Sequence, residues 1–292
     1  MYKIPARWVQ AGKTYPVYAK NRPTPARASH SGGCQDDSPI YNRDVCAEPQ
    51  KSPLAVFNDD VVRCQKCARL RVYCESIAYS KRRAYSDWIY WAKPVPSFGD
   101  ERASVLILGL APGAHGSNRT GRPFTGDGSG DFLYPVLHAT GFASQARSVS
   151  RSDGMQLRGC WISAVVRCAP PDNKPRPEEL TNCAPHLDRE IALLPNLRVI
   201  VCLGRVAFDA FLRHLKRVGQ LEKRRYRFAH GAEYELAGGR HLLASFHPSL
   251  QNTSTRKLSQ AMLLEIFERA RAIVPRWAPE AGSEGERRAV TA

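Results

Sequence analysis

Cys64 and Cys67 stand at C-x-x-C spacing, which lets two thiolates face one metal. Cys168 and Cys183 follow much later, each ahead of an alanine and a proline. A zinc site normally brings a second C-x-x-C, so the unpaired Cys168 and Cys183 weaken a zinc ribbon without excluding it. Zinc and an iron–sulfur cluster both take four thiolates, and on spacing alone both stay open. The other chemically loaded stretch is a loop, "GLAPGAHGSNRTGRPFTGD" (109–127), which ends on a carboxylate, Asp127. Its Gly121 to Gly126 segment has the glycine spacing of a phosphate loop, but Asp127 stands where that motif needs lysine. A carboxylate there repels a nucleoside triphosphate, and no G-x-G-x-x-G follows the preceding strand. Nucleotide hydrolysis and dinucleotide binding are both excluded.

The elements that must position these residues alternate in type. Apolar runs at 104–108, 160–168, 197–204 and 241–246 read as buried strands. Helices are expected over 131–140, 177–194, 205–216 and 257–274, the second opening with proline and two acids in its first turn. Such alternation implies an α/β fold, a three-layer α/β/α sandwich with a central, mainly parallel four-stranded sheet. Ligands in that architecture sit at the carboxyl ends of the strands. The loops at 109–127, 168–176 and 247–256 all begin there and are expected to converge. Residues 1–55 and 279–292 lack a hydrophobic period and read as disordered, leaving one domain over 56–278. Lys and Arg number 43 against 27 Asp and Glu, a formal charge of +16 that points to a polyanionic partner, nucleic acid first. The basic residues cluster at Lys81-Arg82-Arg83, Lys216-Arg217, Lys223-Arg224-Arg225 and Arg256-Lys257. No signal-peptide core or membrane-length apolar run is visible, so a cytoplasmic, non-membrane protein is expected. Its nine cysteines then favour metal or catalysis over disulfides.

Several ordered segments together resemble the type-5 uracil-DNA glycosylases. They are the 109–127 loop, "HPSLQNTSTRKL" (247–258), "CQKCARL" (64–70), "KRRAYSDWIYWAKPVPSFGD" (81–100) and "RCAPPDNKPRPEELTNCAPHL" (167–187). The resemblance runs from about residue 60 to 274 and spares both tails. It implies a [4Fe-4S] cluster on Cys64, Cys67, Cys168 and Cys183, with Cys74 outside the matching pattern. It implies DNA as partner, double- or single-stranded and carrying uracil or another deaminated base, and a monomer acting on it. Phe124 then stacks on the extruded base, and Gly109 and Gly113 let the backbone approach the DNA. His247 donates a hydrogen bond to the departing base's oxygen. Ser249 holds a phosphate, Leu250 or Gln251 fills the gap in the duplex, and Asn252 counts among the substrate contacts.

Two departures from the wider superfamily sharpen this. Ala111 stands where many members carry a polar residue that orients water, so that work falls to Asp127 and Asn173. Ala164 stands where many read uracil through an asparagine, which implies a broader range including hypoxanthine and xanthine. No lysine is placed for a Schiff base, so an abasic site without strand cleavage is expected. The rival reading is a non-catalytic nucleic-acid-binding module built on an iron–sulfur or zinc scaffold. Asp127 discriminates, since a pure phosphate binder gains nothing from a carboxylate there.

Overall fold

The computed structural model describes residues 50–274. Cys34, Cys46 and most of the segments expected to be disordered lie outside the described residues. Where they overlap, helix α1 (Pro53–Arg63) already begins, with Ser52 accepting from the Ala55 N–H and proline in the first turn.

One six-stranded sheet runs β1 (Phe98–Gly99), β3 (Cys160–Ala164), β2 (Val105–Gly109), β4 (Val199–Leu203), β6 (Arg240–Ser245), β5 (Glu233–Leu236) across its width. The expected four-stranded sheet is thus corrected to six. The four expected strands form the parallel centre, and a short antiparallel strand closes each edge. β1 has two residues, and β5 ("EYEL") is half-exposed. An edge strand needs no two-sided burial, so neither carries the apolar run that reveals a central strand.

The central strands alternate their side chains between two cores. Val105 and Ile107 pack with α4 (Gly128–Ala139) and α8 (Gln260–Ile273). Leu106 and Leu108 pack on the other face with α1, α2 (Ala68–Ser80), α5 (Pro177–Ala192) and α6 (Arg205–Arg217). Two short helices, α3 (Ser117–Thr120) and α7 (Leu250–Ser254), lie in loops that leave the sheet.

Three boundaries lie three or more residues from expectation, each for a local reason. α4 starts at Gly128 because the Asp127 side chain caps it. The strand expected over 160–168 stops at Ala164, where the Val165 and Val166 N–H groups turn to the carbonyls of Gly109 and Leu110. The closing helix starts at Gln260 because Ser259 accepts from the Met262 N–H, and residues 250–254 wind separately as α7.

A buried ion pair fixes the chain as it leaves β3. Glu190 on α5 is fully buried, and its carboxylate accepts from Trp161 Nε1 (2.7 Å), Ser163 Oγ (2.6 Å), Ser97 Oγ and Arg167 Nη2. An isolated buried carboxylate is prohibitively costly; four donors, one of them cationic, make it tolerable and tie α5 to β3. No helix among the described residues is long and apolar enough to cross a membrane.

Candidate active site

Loops leaving the carboxyl ends of β2, β3 and β6 meet around one cavity of about 390 Å³, within the range of a small-molecule pocket. The β2 loop contributes Gly109, Ala111, Gly113, Phe124 and Asp127. Ala164 and Asn173 come from β3 and the turn after it, and His247, Ser249 and Gln251 from beyond β6. Leu250 and Asn252 do not line the cavity. Leu250 stands 70% exposed over Gly128, and the Asn252 amide donates to the His247 carbonyl at 2.8 Å.

Asp127 divides its carboxylate. Oδ1 accepts from the N–H groups of Ser129 and Gly130, both at 3.1 Å, capping α4. Oδ2 lies against the backbone of Gly113 and Gly116, and a Cβ on Gly116 would sit 1.8 Å from it. Only glycine leaves room at that position. Burial raises the carboxyl above its ordinary value, and the two capping N–H groups only partly offset the shift.

Phe124 takes a positive φ of 50° and lays its ring over the end of β2. A Cβ on Gly109 would meet that ring at 2.7 Å, so the missing side chain is what admits the aromatic. The ring faces His247, with centroids 5.9 Å apart and planes at 31°. The His247 ring nitrogens hydrogen-bond to no described residue, and burial pushes the imidazole down to about 4. At neutral pH the ring therefore carries one N–H donor and no charge. Asn173 lies exposed in a 3-10 turn with φ 56°, its residue bordering the same cavity. Ala111 and Ala164 contribute no polar group to the wall.

Arg119 escaped sequence reasoning, although it lies inside the quoted loop. Its guanidinium is buried between Tyr85 and Trp88, 3.9 and 4.1 Å from the ring centroids. It donates from Nε to the His115 carbonyl and from Nη2 to the Gly126 carbonyl, each at 2.7 Å. Both limbs of the loop that encloses the Asp127 carboxylate are thus tied to one cation. The two aromatics are visible upstream, but no spacing rule pairs them with an arginine thirty residues on.

Cys64, Cys67, Cys168 and Cys183 line a second, smaller cavity together with Arg71 and Asn182. The described residues hold no group of three or more His, Cys, Asp or Glu side chains drawn together as ligands. The donor set nevertheless suits a cluster. Asn182 Nδ2 lies 3.8 Å from Cys67 Sγ and Arg71 Nη1 4.0 Å from Cys168 Sγ, contacts that favour thiolates. Cys74 is buried nearby, its thiol 3.7 Å from the Ala169 carbonyl, and it does not line this cavity.

The His247 environment is directly testable. An NMR titration of its ring is expected to give a midpoint near 4, with the neutral form alone present from pH 6 to 8. Because the folded-state value lies below the ordinary one, the unfolded chain takes up the proton first. This histidine's contribution to stability is accordingly lost as pH falls from about 6.5 toward 4. A midpoint near 6.5 contradicts the buried geometry.

Comparison with known proteins places the chain in a family. The family model of the uracil DNA glycosylase superfamily matches residues 96–271. The chain is similar to the type-5 uracil-DNA glycosylase of Thermus thermophilus, 50% identical over 217 residues that cover 74% of this chain and 96% of that protein. It is also similar to the type-5 enzymes of Mycobacterium bovis (46% identity, covering 72% and 78%) and Pyrobaculum aerophilum (41%, covering 74% and 91%). With the family model matched over residues 96–271 and type-5 relatives along most of its length, the chain belongs to the uracil-DNA glycosylase superfamily, in its type-5 branch.

Proposed function

We propose that the cavity takes up a deaminated base flipped out of DNA and hydrolyses its N-glycosidic bond, releasing uracil and also hypoxanthine and xanthine. The observation that carries this reading is the meeting of Phe124, His247 and the free Oδ2 of Asp127 around one pocket. Phe124 stacks on the base. As the bond breaks, the base leaves with the electron pair, and the neutral His247 N–H stabilises the charge on its oxygen. Asp127 orients a water toward the sugar carbon and accepts its proton, while Asn173 holds the water at the rim. Ala164 leaves the base edge without a selective partner, so a purine base meets no penalty from an unpaired amide. Ser249 holds the neighbouring phosphate, and the exposed Leu250 enters the gap in the stack.

The four cavity-lining cysteines would hold a [4Fe-4S] cluster. When bound, such a cluster supplies four iron–thiolate links that join the start of α2, the β3 exit and α5. Arg71 and Asn182 orient the sulfurs from outside.

Purified protein incubated with uracil DNA is expected to release free base and leave alkali-labile sites, with inosine DNA also cleaved to hypoxanthine. Asp127→Asn should slow the single-turnover step by roughly 10²–10⁴ while DNA binding is kept. No base release from either substrate contradicts the reading, and uracil-only release removes the broad range. Independently, the protein should be brown with visible absorbance and about four irons per chain, both lost in Cys183→Ser. Bound zinc in a colourless protein excludes the cluster.

A further inference from the structure

The basic cluster at Lys223-Arg224-Arg225 starts at a bend, where the Arg224 N–H donates to the Glu222 carbonyl at 2.8 Å, and leads into the irregular stretch 225–230, which passes beside β5. Its side chains alternate. Tyr226, Phe228 and His230 turn partly inward, and Lys223, Arg225 and Arg227 are exposed. The inward rings are firmly seated. Tyr226 lies 5.1 Å from Tyr234, Phe228 5.7 Å from Phe208, and His230 stacks 5.2 Å from Phe246. The Tyr234 hydroxyl both accepts from the Arg227 N–H (2.8 Å) and donates to the Arg227 carbonyl (2.7 Å), which fixes the backbone.

The outward cations are treated differently. Arg224 is neutralised by Glu222 at 3.4 Å and bonds the Glu235 carbonyl. The side chains of Lys223, Arg225 and Arg227 form no ion pair or hydrogen bond with any described residue. Three unpaired cations in a row, the last on a backbone pinned by Tyr234, favour a polyanion. The row also leads somewhere. Its upper end packs on Phe246, the residue before His247, and Lys257 covers the same ring at 4.8 Å. Positive charge thus continues from the end of the pocket-lining loop after β6 down the sheet edge.

We propose that Lys223, Arg225 and Arg227 form a phosphate track for one arm of the DNA, outside the base pocket and away from the flipped nucleotide. The inference rests on the glycosylase reading for its choice of DNA. Four residues of chain span at most about 13 Å. That length faces roughly four phosphates of one strand at about 3.4 Å each. The track adds affinity and orientation for long duplexes without reading sequence.

The test measures affinity against salt for a duplex of about 30 base pairs with a central abasic-site analogue, and for a short one that ends before the track. In the triple variant Lys223→Gln, Arg225→Gln, Arg227→Gln, the slope of log K against log salt is expected to fall by roughly 2–3 on the long duplex and to stay unchanged on the short one. Arg225→Gln alone should lose about 1, which keeps the test decisive if the triple variant folds poorly. An unchanged slope on the long duplex, or equal losses on both, overturns the track. Uracil release by the wild-type protein is scored separately. If the slope falls but no base is released, the glycosylase reading fails while the DNA track stands.

Discussion

The site depends on how one carboxylate divides its two oxygens. Asp127 spends Oδ1 on the orphan N–H groups at the start of α4, while Oδ2 accepts from none of them and lies against the Gly113 and Gly116 backbone at the cavity wall. Much of the loop's odd composition follows from that. Gly113 and Gly116 must lack side chains because the second oxygen lies against their backbone. Arg119 must be buried because it holds the carbonyls of His115 and Gly126 on both sides of the acid. Tyr85 and Trp88 then stack on Arg119, which joins the segment before the sheet to the catalytic loop.

The same burial acts on Asp127 and His247 in opposite directions. It raises the Asp127 carboxyl and lowers the His247 imidazole, and in both cases it works against charge. A strongly basic protein therefore keeps His247 uncharged, so that under the proposed function it meets a base as a hydrogen-bond donor and not as a cation. The net positive charge is displayed elsewhere, on surfaces such as the 222–230 segment.

The centre of the fold was legible because parallel strands buried on both faces must be continuous apolar runs, as "VLILG" and "VIVCL" are. The edges were not, since β1 and β5 satisfy no such constraint. Phe124 and His247 could be singled out through their motifs, and the structure adds why they meet: Gly109 opens space for the ring, and β6 ends beside it. From the sequence, Asp127 is expected to handle the water. The structure shows that this residue caps α4 with one oxygen, lays the other against the Gly113 and Gly116 backbone, and borders the cavity. Arg119 and the Arg167–Glu190 pair were invisible because each depends on partners brought together from distant segments, and no local period encodes such contacts.

The central claim is that a half-buried, ionised Asp127 activates the water, and the pH dependence of single-turnover uracil release tests it most directly. The rate should fall as pH drops, along an acid limb whose midpoint lies above the ordinary carboxylate range, because burial raises this group. In Asp127→Asn that limb should vanish along with most of the rate. A limb near pH 4, or one that survives the substitution, contradicts the account.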